Sequence, residues 1–143
     1  MMKNIFLSMT LVMFVVTSSY AIEPQWVIDL HEAHTNNGMA YRLLRPLNFD
    51  PGRLYPVIVS MHSYPGVGTD NIKNIRQWNT QLSDPQMRAD YPAYVVVPQT
   101  TNTWKSYYYK TIQNVIANDL TNVDMVGSTS SGSPTVATEP GCS

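Results

Sequence analysis

Two β-branched runs, Val57-Ile58-Val59 and Val95-Val96-Val97, constrain the fold of this chain more than any other feature of its sequence. Residues branched at Cβ favour extended backbone, and neither run has the spacing of an amphipathic helix. The first predicts a buried strand from Val57 to Met61. It ends in "HSYPGVG", where Pro65, Gly66 and Gly68 break regular structure. The second predicts a strand from Tyr94 to Val97, stopped by Pro98. Between the runs, Ile72, Ile75, Trp78 and Leu82 recur at roughly helical spacing behind Thr69 or Asp70 as a cap. Asp84 followed by Pro85 marks a second, short helical start, a capping carboxylate before a proline at the first helical position.

Upstream, "WVIDLHEAHTNNGMAYRLLRPLNF" carries two extended-looking segments around Asn36, Asn37 and Gly38, and an Asn-Gly pair in that setting predicts an antiparallel hairpin. Pro51 and Gly52 predict the turn into the next strand. Downstream, Ile112, Val115, Ile116 and Leu120 fall on one face of a helix from about Tyr108 to Leu120, and "NVDMV" suggests one more strand. This order predicts an α/β sheet: an antiparallel hairpin, then parallel strands with helices on both faces. Ligands in such sheets bind at the carboxyl ends of the strands, where the His62 loop lies.

With 143 residues, 43% of them hydrophobic, the chain has material for one domain. Nine basic against ten acidic residues leave no cationic stripe for nucleic acid. At the N-terminus, Lys3, an apolar run from Ile5 to Val16 and small residues at Ser19 and Ala21 predict a secretory signal peptide over residues 1–21, with export to the periplasm or medium. The run is short for a membrane span. Cys142 is the only cysteine, so the core is expected to hold without an intrachain disulfide. Residues 22–126 are expected to form the domain, and 127–143, rich in Gly, Ser, Thr and Pro, a flexible tail.

The stretch "YRLLRPLNFDPGRLYPVIVSMHSYPGVGTDN", followed by "YPAYVVVPQTTNTW", resembles the N-terminal part of secreted α/β-hydrolases of the serine esterase and predicted-peptidase kind. Over about Met39 to Trp104 the order and spacing of the pieces are similar. The resemblance implies that the loop after the Val57 strand is part of an oxyanion hole at Ser63 and Tyr64, with the Tyr64 amide as donor. It implies a structural role for His62, hydrogen-bonded to loop backbone. It also marks a departure, because the family's glycine after that histidine is Ser63 here, which predicts strain and a distorted loop that Gly66 and Gly68 could offset.

The family's nucleophile sits in a G-x-S-x-G elbow, followed by an acid and a histidine. This sequence has no such motif, and "STSSG", with Ser130 as nucleophile, is its nearest approach. All three histidines, His31, His34 and His62, lie upstream of Ser130, and Glu139 is the only carboxylate side chain beyond it. The triad in its usual order is therefore not encoded. Two readings follow: an incomplete secreted hydrolase of carboxylic esters or peptides, inactive as this chain alone, or a non-catalytic exported module, for example for polysaccharide. Either way, a strand left at the sheet's edge favours self-association.

No cofactor is expected. "DLHEAH" gathers Asp29, His31, Glu32 and His34, but a strand turns residues three apart to opposite faces, so the group reads as polar residues on an exposed first strand and not as a metal site. The run "WKSYYYK" reads as the start of a helix or as an aromatic binding lip.

Overall fold

The computed structural model describes residues 22–124. The elements run α1 (Gln25–Leu30), β1 (Glu32–Asn36), β2 (Met39–Leu44), β3 (Val57–Val59), a 3-10 turn (Tyr64–Gly66), α2 (Gln77–Leu82), α3 (Pro85–Asp90), β4 (Tyr94–Pro98) and α4 (Ser106–Asn118). The four strands form one sheet in the order β1-β2-β4-β3. β1 and β2 are antiparallel, with Asn36 opposite Met39, and β2 is antiparallel to β4. β3 and β4 are parallel, with Ile58 opposite Val95. The turn between β1 and β2 has positive φ at both central residues, 48° at Asn37 and 76° at Gly38, the geometry that matches the twist of a tight hairpin.

β4 is buried along its whole length, and its alternation divides the core in two. Tyr94 and Val96 join Met39, Tyr41, Leu43 and the α4 residues Ile112 and Val115 on one face. Val95 and Val97 join Leu44, Ile75 and the α1 residues Val27 and Ile28 on the other. This is the mixed α/β sheet with helices on both faces that the two β-branched runs predict.

Several local expectations are corrected. The Val57 strand is shorter than Val57–Met61 and only half-buried, because β3 has β4 on one side and, among the described residues, meets Val123 on the other only at Tyr55. Residues 25–30, expected to be extended, form α1. The helix expected behind Thr69 or Asp70 begins at Gln77. Asp70 Oδ1 does accept the Ile72 and Lys73 N–H groups, but Asn71 at φ 52° turns the chain out of a helical path, and Trp78 is exposed instead of lying on the apolar face. The Asp84-Pro85 start forms as expected, with Asp84 Oδ1 accepting from the Gln86 and Met87 N–H groups.

The signal peptide, the 127–143 tail and Ser130 lie outside the described residues, as do the last two residues of "NVDMV". The described part of that segment forms a parallel bridge: Tyr55 N–H donates to Asn122 O and Asp124 N–H to Tyr55 O, each at 2.8 Å. Among the described residues no helix is long and apolar enough to cross a membrane.

Candidate active site

The parallel pair β3 and β4 ends in two loops that bind each other. From the first, His62 is buried on the chain leaving β3. Its Nε2 accepts the Thr100 N–H at 3.1 Å, and its Nδ1 lies 2.9 Å from Ser63 O. An N–H donor at Nε2 requires a lone pair there, so the ring is the neutral tautomer with the proton on Nδ1, donated to Ser63 O. Trp104 closes over the ring at 4.8 Å between centroids, and its indole N–H donates to His62 O at 2.8 Å. With both nitrogens occupied by backbone groups, His62 has no free lone pair for proton transfer.

From the second loop, Gln99 reaches back into the first. Its Nε2 donates to Gly66 O at 3.1 Å and to Asp70 Oδ1 at 2.9 Å, while its Oε1 accepts the Asn71 N–H. Gly68 N–H donates to Thr100 O at 2.9 Å. Burial raises the Asp70 carboxyl, but the donors gathered on it, chiefly the Lys73 N–H and the Gln99 amide, outweigh that and hold it well below the usual carboxylate range. Gln99 and Thr100 are the residues that sequence reasoning missed. Their signal was a polar pair directly after a strand built on the Val95–Val97 run and ended by Pro98.

The clamp fixes Ser63 and Tyr64. Ser63 has φ −85° and ψ −177°, extended backbone that any residue adopts, so the expected strain is absent. Neither Gly66 nor Gly68 has positive φ. Gly66 matters for another reason: a Cβ there would lie 2.4 Å from His62 Cβ and 3.0 Å from Lys73 O. Tyr64 opens the 3-10 turn, in which Gly66 N–H donates to Ser63 O and Val67 N–H to Tyr64 O. Its own N–H has no acceptor among the described residues, as the first amide of a helical turn does not. The Tyr64 side chain is 82% exposed and walls a cavity of about 320 Å³.

The other histidines are engaged elsewhere. His34 Nε2 lies 3.0 Å from Glu32 Oε2, and the same carboxylate accepts from Arg45 Nε. His31 is not on an exposed strand as expected; it caps α1, is wholly buried, and its Nδ1 lies 2.8 Å from Val27 O. No group of metal-ligating residues forms among the described residues. The aromatic run is divided: Trp104 packs on His62, whereas α4 begins at Ser106 and leaves Tyr107 and Tyr109 exposed.

No family model matches this sequence, and no curated protein matches it. Among solved structures the chain is similar to a crystal structure of a thermostable esterase, with a TM-score of 0.57 and 22% sequence identity. The match covers 68% of this chain but 32% of the esterase, so the chain spans about a third of that protein's length. The likeness is one of fold: a mixed α/β sheet arranged as in the matched part of that protein.

Proposed function

We propose that this chain carries the front part of an exported serine hydrolase acting on carboxylic esters, and that the His62–Asn71 loop supplies half of its oxyanion hole. The reading is carried by one observation: two loops at the carboxyl ends of parallel strands are clamped together, and the Tyr64 amide at their tip has no acceptor. A donor fixed before reaction is what a developing oxyanion needs, since no reorganisation is then required. Among the described residues none of the three histidines lies free beside the Tyr64 amide: His62 is held by loop backbone, His31 contacts the Val27 carbonyl and His34 pairs with Glu32. Ester turnover dependent on Ser130 is therefore not expected, and the substrate would be a small ester or, as the resemblance also allows, a peptide.

The test is a chimera in which residues 22–124 replace the corresponding third of the thermostable esterase, assayed on p-nitrophenyl acetate. Turnover is expected, and replacing Tyr64 by proline, which deletes the amide at a position where proline is tolerated, should lower kcat about 100-fold. Tyr64→Ala should leave it unchanged. A folded chimera without turnover, or one indifferent to Tyr64→Pro, contradicts the reading. In parallel, the 143-residue chain and its Ser130→Ala variant should give equal, background hydrolysis; a loss in the variant would show the nucleophile to be Ser130.

A further inference from the structure

The cavity of about 320 Å³ that Tyr64 helps to line is otherwise walled by apolar residues and two cations. Ile22, Pro65, Ile72 and Ile75 line it with hydrocarbon, and Lys73 and Arg76 are its two cations. The two cations are not equivalent. Lys73 Nζ is already paired with Asp70 Oδ2 at 3.1 Å. The Arg76 backbone N–H donates to Asn79 Oδ1, but its guanidinium has no hydrogen-bond or ion-pair partner among the described residues. Glu23, the carboxylate bound to Thr80 one turn further along α2, makes no ion pair with it. An unpaired guanidinium in the lining of a mainly apolar cavity can take an anion there, since its fork of donors matches a carboxylate.

We propose that this cavity is a specificity subsite for an aliphatic chain ending in a carboxylate, with Arg76 as the residue that selects the charge. The proposal rests on the hydrolase reading for its place in a reaction: an ester whose carbonyl oxygen meets the Tyr64 amide would lay its anionic arm along Ile72 and Ile75 toward Arg76. A volume near 320 Å³ is at the small end of ligand pockets, which suits a short chain and not a polymer.

The experiment titrates monomethyl adipate and, separately, neutral methyl hexanoate into the full ¹⁵N-labelled chain. The adipate monoester should shift the Ile72, Ile75 and Arg76 amides and bind about tenfold or more tighter than the neutral ester. Arg76→Gln should abolish that preference, and Lys73→Gln should keep it. Equal binding of the two esters by the wild-type chain, or a preference that survives Arg76→Gln, overturns the subsite without reference to any variant's activity. If the preference holds while Tyr64→Pro proves neutral in the chimera, the hydrolase reading fails and the carboxylate site stands.

Discussion

A methyl group on Gly66 would stand 2.4 Å from the Cβ of His62, so the absence of a side chain at one residue is what lets the other seat its ring under Trp104. The contact is between the turn that presents the Tyr64 amide and the histidine that anchors it to the loop after β4. Gly66→Ala must therefore push one away from the other, or displace the Lys73 carbonyl 3.0 Å away on the other side. The expected cost is about 1–3 kcal/mol, the usual range for overpacking, read as a lower urea midpoint. The control is Gly68→Ala, whose nearest contact, Gln99 Nε2 at 3.1 Å, is 0.7 Å longer than the 2.4 Å contact at Gly66, and which should cost less.

Gln99 ties three groups of the loop with one side chain. Gln99→Leu keeps the volume but leaves the Asn71 N–H and the Gly66 carbonyl without their partner. Unsatisfied buried groups cost about 1–3 kcal/mol each, so denaturant unfolding should show a loss of about 2–6 kcal/mol for the two. Asp70 would also lose a donor, and its carboxyl should titrate higher in the variant by NMR.

How much of this was legible in the sequence depended on the range of the interactions. The β-branched strand at Tyr94 and the Asp84-Pro85 cap are local devices, and both appear where the sequence puts them. The α1 helix was not legible: six residues are too few for periodicity to register, and Val27 and Ile28 favour extended backbone until packing against Leu44 and Ile75 decides otherwise. The Asp70 cap was read correctly as a cap but assigned to the wrong element, because nothing in the sequence announces the left-handed Asn71. For the candidate site, the loop's position after β3 could be read, but its clamp could not. Gln99 and Thr100 act on residues 28 to 38 positions away, and only the parallel pairing of β3 and β4 brings them there.

His31 predicts a dependence on pH. Burial, first of all, holds its pKa below the ordinary histidine value; the Val27 carbonyl opposes the shift, and the positive charges of Arg42 and Arg88 add to it. With the folded-state pKa depressed, the unfolded chain binds more protons below about pH 6.5. Stability is therefore full above that value and falls as the solution is acidified through it. Urea midpoints measured from pH 8 to pH 5 should decline, and His31→Gln should flatten the decline even if it lowers the midpoint at pH 8. A slope unchanged in the variant would assign the dependence to another group.

The outer edge of β3 predicts association. Among the described residues Val57 and Val59 have no strand beyond them, and Ile58 is 38% exposed at the same edge. Unpaired backbone groups of this kind accept a second strand unless charge blocks it. Sedimentation equilibrium should show a dimer that Ile58→Lys converts to monomer. A wild-type chain that stays monomeric at the highest soluble concentration contradicts this expectation.

The most direct measurement follows the Tyr64 amide itself while methylphosphonate, a tetrahedral anion, is titrated into the ¹⁵N-labelled chain carrying Arg76→Gln, so that the neighbouring guanidinium contributes nothing. The Tyr64 N–H resonance should move downfield and saturate, with Tyr64→Ala binding the anion as before and Tyr64→Pro failing to bind it. A Tyr64 resonance that stays in place at saturating anion, or binding that persists in Tyr64→Pro, would contradict the account.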